Sequence, residues 1–374
     1  MGNGWLEQVR KKGEALYSSL AWPALADSPV EKEYTQNQLF NQENFKGNGD
    51  FQIALNGSRG ITAKCFSELG KDEETTLKKY FESGIGASEH KLLALKNAHM
   101  RDGFLVIVPE NAKAEVEINI KAEAGVAGFH GIVILKEGAE AKVYEKLGGQ
   151  GTLAASATEV FLGENSSLKY DFTENLDFES VNYSVKRASL EKDAKIVWNT
   201  SFLGAKASSA VVDCKLMAEG ARAENYNSFF GMKNQVFDIS TNSYHYAPNT
   251  SGNLLSRGVL TQESKGTYRG LIYINEKAGN TNCFLNGHAL LVGEKAKANS
   301  VPSLEIHTND VQSRHGATVD QIDSEKIFYL QTRGLSKKQA TQTIVEGFVG
   351  EALEKSDSAL NGWRQIISEK MQDV

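Results

Sequence analysis

Residues 299–353 read NSVPSLEIHTNDVQSRHGATVDQIDSEKIFYLQTRGLSKKQATQTIVEGFVGEAL, and the character of the chain changes within them. An extended run over residues 303–311 leads into residues 315–318, His-Gly-Ala-Thr, which have the composition of a turn. Two amphipathic segments follow. Asp323 is placed to cap the first and Gly334 to end it, and Ser336 begins a capping box for the second. The stretch therefore predicts that a β body ends here and a helical region begins.

Short β-type runs recur upstream, from residue 103 to about residue 311, and are separated by turns of similar composition. Measured from Gly138, Glu164, Asp193 and Gly220, the turns are spaced by 26, 29 and 27 residues. A repeat of this length without intervening helices is typical of a solenoid, because one coil is too thin to bury its own apolar face. The alternative is a β-sandwich or jelly roll, whose strands would recur every ~8–12 residues. The spacing favours a parallel β-helix.

Helical segments are expected on both sides of this body. A rough 3.6-residue period predicts a helix over residues 5–20, and a second helix is expected over residues 67–81. Near the other end, residues 360–371 predict a terminal helix that carries Trp363, Ile366 and Ile367. The predicted division is a mainly helical region at 1–100, a β-helix core at 101–321 and a helical domain at 322–374. The fold class is mainly β with helical flanks.

Composition and charge limit the functional classes. The net charge of −6 over 374 residues argues against a general nucleic-acid binder, which needs a basic surface. No apolar run approaches the roughly 18–20 residues that span a bilayer, and no signal-peptide pattern is present. Cys65, Cys214 and Cys283 are too far apart for a zinc or CxxC motif. We expect a cytoplasmic protein with reduced thiols, and the sequence contains no nucleotide-binding or common hydrolase motif.

His315, beside Arg314, is a candidate metal ligand or proton-transfer group because it stands where the β body ends. The alternative is a structural histidine that bonds a backbone carbonyl, since no second ligand lies at a suitable spacing. Cys283 and His288 would point to opposite faces of a strand, so a shared metal would need a bend at Gly287. A buried structural cysteine is the simpler interpretation.

Other histidines and aspartates carry less information. Asp310 and Asp320 are equally compatible with turns. The remaining histidines considered are expected to be structural or at the surface: His130, His245 and His307.

The second amphipathic segment has a broad apolar face. Its two rows, spaced four residues apart, contain Ala340, Ile344, Phe348 and Ala352, and Val345, Val349 and Leu353. Part of this face must pack on the β body. Any part that the body leaves uncovered would be a partner surface.

The C-terminal third resembles a known family. The resemblance rests on residues 302–306 (PSLEI), 309–311 (NDV), 315–318 (HGAT), 321–323 (QID), 327–330 (IFYL) and 332–335 (TRGL). These motifs resemble the SufB/SufD family of iron–sulfur cluster assembly scaffolds, and the similarity is dense over residues 290–353. The resemblance implies a right-handed parallel β-helix, a helical C-terminal domain that docks a SufC-type ABC ATPase, and a non-enzymatic role.

The resemblance also implies partners and sites. Two β-helices would pair edge to edge, as a SufB–SufD heterodimer or as a homodimer, with no stably bound cofactor and a transient iron–sulfur cluster at the interface. His315 would face that interface as a tentative metal ligand. Neither nucleic acid nor membrane is expected as a partner. The expected contacts with the SufC-type ATPase are Phe328, Tyr329, Arg333, Ile344 and Phe348.

Departures from the SufB pattern favour the SufD branch. Gly316 stands where SufB-type chains carry Glu after the histidine, and Gly287 and His288 stand where they carry a cysteine. Many SufD chains have a cysteine at the position of Ser313, so this chain keeps the histidine without the neighbouring thiol. Two alternatives remain open at this point: a SufB-like homodimer that carries its own nascent cluster, and a β-helix enzyme that cleaves polysaccharides.

Overall fold

The computed structural model describes residues 3–22, 45, 47–353 and 359–371. Residues 31–35 (EKEYT), a stretch that also resembles the SufB/SufD family, lie outside this set. About half of the described residues are in β-strands, as a mainly β fold requires.

The described residues contain eighteen strands. Their bounds are β1 Phe51–Gly57, β2 Thr62–Cys65, β3 Met100–Val108, β4 Lys113–Ala122, β5 Val126–Leu135, β6 Glu140–Gly149, β7 Leu153–Leu162, β8 Ser167–Leu176, β9 Val181–Leu190, β10 Lys195–Phe202, β11 Ala207–Leu216, β12 Arg222–Gly231, β13 Val236–His245, β14 Ser251–Leu260, β15 Lys265–Ile274, β16 Thr281–Leu291, β17 Lys297–Ile306 and β18 Val311–Gln321. The short runs that the sequence predicts as strands lie within these bounds: residues 104–108, 116–120, 131–135, 141–144, 159–162, 168–172, 196–198 and 271–274.

The strands form two nine-stranded sheets that share one core. One sheet has the order β1-β4-β6-β8-β10-β12-β14-β16-β18, and the other has the order β17-β15-β13-β11-β9-β7-β5-β3-β2. From β3 onward the chain alternates between the sheets, and from β5 onward each strand pairs in parallel with the strand one coil earlier. This is a solenoid of about eight turns. The predicted parallel β-helix is confirmed, and the sandwich alternative is wrong.

A ladder of left-handed residues marks one corner of the solenoid. It consists of Asn111, Gly138, Asn165, Asp193, Gly220, Asn249 and Asn280, whose φ angles lie between 54° and 73°. Each backbone N–H donates to a carbonyl of the next coil, as from Gly138 to Glu164 at 2.9 Å. Glycine and asparagine tolerate this conformation better than other residues. The turns that repeat in the sequence therefore stack at one corner of successive coils.

At the N-terminal end of the solenoid, the first two strands are antiparallel to their neighbours. β1 pairs antiparallel with β4, and β2 pairs antiparallel with β3. The first hundred residues thus contribute strands to both sheets as well as helices. Among the described residues of this region, the helices are α1 Asn3–Ser19, α2 Lys71–Tyr80 and α3 Lys91–Ala98, with a 3₁₀ turn at Phe66–Glu68. The single helix expected over residues 67–81 is therefore divided into a 3₁₀ turn and α2.

A buried polar chain joins this helical region to the solenoid. Lys96 of α3 lies 2.7 Å from His130 of β5, and His130 lies 2.7 Å from Glu159 of β7. Glu159 in turn accepts hydrogen bonds from the backbone N–H groups of Glu82, Gly84 and Ile85. Burial lowers the pKa of Lys96 to about 8. His130 is thus part of a network that the sequence did not indicate.

Three helices follow the solenoid: α4 Ser324–Thr332, α5 Lys337–Leu353 and α6 Ala359–Lys370. Asp323 caps α4 through hydrogen bonds to two backbone N–H groups, as predicted. Ser336 and Gln339 form the predicted capping box of α5. The buried Trp363 of α6 donates to Ser201 of β10 at 2.8 Å, which fixes α6 against the solenoid. None of the described helices combines the length and apolar character that crossing a membrane requires.

Candidate functional site

The last coil of the solenoid is open among the described residues. β17 and β18 are the final strands of their sheets, and each pairs with a neighbour on one side only. Ile306 is 38% exposed, whereas Ile274, one coil earlier in the same column, is fully buried. Val319 is 40% exposed above the buried Ala289. Unpaired backbone groups beside exposed apolar side chains form a surface that another strand can pair with.

His315 belongs to this open end. It occupies β18 in register with Leu285, and the same column continues through seven buried residues: Leu285, Leu254, Asn225, Trp198, Tyr170, Val143 and Val116. His315 itself is exposed because no coil follows it. Within the part of the chain that the structure describes, its imidazole has no hydrogen-bond partner. The ring is available to bind a ligand brought by another molecule.

The prediction of a turn at residues 315–318 is wrong. These residues lie inside β18, and the turn of this coil falls earlier, between Ile306 and Val311. The run expected to be extended over residues 303–311 is therefore interrupted by that turn. Gly316 has a packing role: a Cβ added there would lie 2.9 Å from the Asn286 amide nitrogen. Gly316 was expected to form a turn, but its lack of a side chain instead leaves space for the Asn286 amide. Asp320 also lies in the strand, where it pairs with His288 at 2.9 Å.

The three thiols are poor metal ligands as they stand. Cys214 and Cys283 are buried, and Cys65 is half-buried. Burial raises the pKa of Cys65 to about 11 and that of Cys283 to about 12. It raises the pKa of Cys214 further. Because the thiolate is the form that binds metals, none of the three offers a ready ligand at neutral pH.

Cys283 has a polar neighbour in the interior. Its sulfur lies 3.2 Å from Nε2 of His245, which also contacts the hydroxyls of Ser243 and Thr250. Burial lowers the pKa of His245 to about 4, so the pair is neutral at pH 7. His288, in contrast, points to the outer face, as the alternation along the strand predicted. No group of three or more His, Cys, Asp or Glu side chains arranged to hold a metal occurs among the described residues.

Helix α4 presents a second candidate surface. Phe328 is 67% exposed and Tyr329 is 56% exposed, which is unusual for aromatic side chains on a helix. The Arg333 guanidinium lies 5.1 Å from the centre of the Tyr329 ring and donates to its hydroxyl. Tyr329 and Ile344 line an open groove between α4 and α5. Phe328, Tyr329 and Arg333 are therefore exposed on α4, and Ile344 is partly buried at the edge of the groove.

Phe348 does not belong to that region. Its ring packs edge-on against His288, with centroids 4.7 Å apart, and the Arg257 guanidinium lies 5.9 Å from its centre. Both neighbours are on the solenoid. Of the five residues expected to contact an ATPase, three are exposed on α4, whereas Ile344 and Phe348 of α5 are partly buried against the same apolar cluster.

Comparison with known proteins identifies the family. A family model described as "SUF system FeS cluster assembly, SufBD core domain" matches residues 118–348, more than half of the chain. This chain belongs to the SufBD family. The matched range contains most of the solenoid and both candidate surfaces, the open end and the exposed face of α4. It does not separate the SufB branch from the SufD branch.

Several relatives carry the same family description. Proteins of Staphylococcus epidermidis, Staphylococcus saprophyticus and Staphylococcus aureus, each named an iron–sulfur cluster assembly SufBD family protein, are 26% identical over 299 residues. The aligned part covers 78% of this chain and 64% of each relative. The chain thus spans less than two thirds of the length of these relatives.

Proposed function

We propose that this chain is a SufD-like scaffold subunit of a Suf iron–sulfur cluster assembly complex. One observation carries the proposal: the solenoid ends in an open coil, and His315 is the exposed last member of a column that is otherwise buried. The two edge strands offer backbone pairing to a SufB-type β-helix. His315 would then present its imidazole to a nascent cluster, which is the cargo of the complex.

The thiols support the SufD branch over a SufB-like homodimer. Assembling a cluster requires thiolate or comparable ligands, and this chain places Cys214 and Cys283 in its interior with raised pKa values. At the open end, the exposed His315 imidazole has no hydrogen-bond partner among the described residues, whereas the exposed His307 ring is paired with Glu305. We infer that the thiolates come from the partner and that this subunit acts as a scaffold rather than as a catalyst.

The exposed face of α4 is the proposed dock for a SufC-type ATPase. Phe328 and Tyr329 supply aromatic anchors of the kind that dominate binding energy at protein interfaces. Arg333 stacks on Tyr329 at the rim, and Ile344 adds apolar surface in the adjoining groove. Phe348 holds α5 on the solenoid through its contact with His288, and this contact keeps the neighbouring helix surface in place.

Co-expression tests the proposal. The chain is produced with a SufB-type protein and a SufC-type ATPase, and the stoichiometry of the purified complex is measured by native mass spectrometry. We expect one complex that contains all three proteins, and a nearly colourless product when the chain alone is reconstituted anaerobically with iron and sulfide. A stable homodimer with cluster absorption in the visible range would support the SufB-like alternative instead.

A further inference from the structure

A cavity of about 700 Å³ lies between the last coils of the solenoid and the C-terminal helices. Its walls come from the turn after β16, the end of β18, one side of α4, the start of α5 and Met371 after α6. Small-molecule sites usually measure roughly 300–1,000 Å³, whereas ordinary side-chain packing leaves few voids larger than a water molecule. The described residues therefore leave room for a ligand here.

The floor of this cavity is apolar. Val292, Ile322 and Met371 line it, and all three pack in the cluster of side chains that holds α5 and α6 on the solenoid. Ile327, buried on α4, extends the same apolar surface. A ligand body that rests on this floor is removed from water, which favours an apolar body over a polar one.

The rim of the cavity is polar and has an excess of positive charge. Among the described lining residues the ionisable ones are Lys337, Lys338 and Glu294, which gives two ammonium groups against one carboxylate. Both lysines are exposed in the first turn of α5. Gln321 and Gln331 add amide groups that can donate hydrogen bonds. The rim therefore suits a head group that carries one negative charge.

The cavity is separate from the proposed ATPase dock. Ile327 and Gln331 are four residues apart on α4 and form one row that faces the cavity. Phe328 and Tyr329, which carry the proposed dock, are not among the lining residues, and Tyr329 lines the groove between α4 and α5 instead. Substitutions can therefore alter one surface without altering the other.

We propose that this cavity binds a free monoanionic amphiphile, a small molecule with a carboxylate head group and an apolar body, of which a fatty acid is the simplest example. The head group lies beside Lys337 and Lys338, and the apolar body covers Val292, Ile322 and Met371. A free molecule is the ligand rather than a bilayer, because the site is concave and has walls from several elements. The inference does not depend on the proposed function.

Isothermal titration calorimetry of the full-length chain with decanoate, a fatty acid short enough to remain monomeric, tests the proposal. We expect saturable binding of one decanoate per chain and weaker binding of decanol, which has the same apolar chain without the charge. Lys337→Glu should lower the affinity for decanoate by roughly fivefold, since an attractive charge becomes a repulsive one. The helix should persist in this variant, because a negative charge is favourable in the first turn.

Lys326→Glu is the matched control, because Lys326 is also exposed in the first turn of a helix but lies outside the cavity. Val292→Trp places a large side chain on the floor, and the folded variant should no longer bind decanoate. Absence of saturable binding to the wild type, equal binding of decanol, or equal losses in Lys337→Glu and Lys326→Glu would each overturn the proposal.

Two further arms identify other occupants. Decanoate binding that appears only after residues 372–374 are deleted would overturn the proposal, because those residues would then be the occupant. Vesicles of an anionic phospholipid should not retain the chain. Retention that Lys337→Glu abolishes would overturn the choice of a free ligand.

Discussion

Leu285 and His315 are neighbours in one column of the solenoid, yet Leu285 is fully buried and His315 is exposed. The difference arises because β18 is the last strand of its sheet. An inward-pointing position has become a surface position, at an end where strands lack partners. We therefore expect substitutions at the edge strand β18, on the exposed face of α4 and in the buried interior to have different effects.

Replacing His315 should affect function without affecting the fold. We expect His315→Ala to change the free energy of unfolding by less than ~0.5 kcal/mol, as for other exposed residues without partners. ATPase binding should persist, while the rate of cluster assembly in the reconstituted complex falls because an imidazole ligand is lost. His307→Ala is the control, since His307 is also exposed near the open end. Assembly at the wild-type rate in His315→Ala would contradict the role given to this residue.

Replacing Phe328 should abolish binding of a SufC-type ATPase. The ring is 67% exposed, so Phe328→Asp should leave the melting temperature unchanged while placing a charge in the centre of the proposed dock. Affinity measured by calorimetry should fall by at least ~2 kcal/mol, the usual threshold for an interface anchor. Met217→Asp tests the general effect of charging an exposed apolar residue, since Met217 follows β11 and lies outside the C-terminal helices. Equal losses in both variants would remove the case for a dock on α4.

Replacing Phe348 should act through stability. Its ring is packed between α5 and the solenoid, so Phe348→Asp should lower the free energy of unfolding by roughly 3 kcal/mol. Chemical denaturation measures this change. Phe348→Leu keeps most of the apolar contact and should cost less. A Phe348→Asp variant of wild-type stability would show that this contact does not hold α5 in place.

Glu174 should make stability depend on pH. It is fully buried, and burial raises the pKa of its carboxyl group to about 7, above the ordinary glutamate pKa of 4.5. The folded state therefore holds the proton more tightly than the unfolded state, and this contribution to stability is lost as pH rises from about 4.5 through 7. Between pH 5 and 7, wild type should lose about 1 kcal/mol per pH unit relative to Glu174→Gln. Parallel pH profiles of the two proteins would contradict this expectation.

The repeat in the sequence was informative because each coil needs a left-handed residue at the same corner. Gly138, Asp193 and Gly220, from which the spacing was measured, are three of those residues. The helix ends were predictable for a similar reason: Asp323 and Ser336 satisfy backbone groups within three residues of themselves. Local chemistry of this kind is visible in a single sequence.

Long-range contacts were not predictable in this way. Arg257 and Glu351 are 94 residues apart, and no spacing rule relates a strand residue to a helix that returns to cover it. The sequence predicts only a structural or surface role for His130, because its partners, Lys96 and Glu159, come from other elements. The sequence predicts a turn at Gly316 because the side chain that requires a glycine there, Asn286, lies in the preceding coil and is 30 residues away in sequence.

The central claim is that the open end of the solenoid pairs with a second β-helix, and cysteine labelling at that end tests it most directly. Val319→Cys places a thiol at an inward position that is exposed only because the coil is last. The account predicts rapid labelling by a maleimide in the isolated chain and strong protection in the complex with a SufB-type protein. Equally rapid labelling in a complex that has been shown to be intact would contradict it.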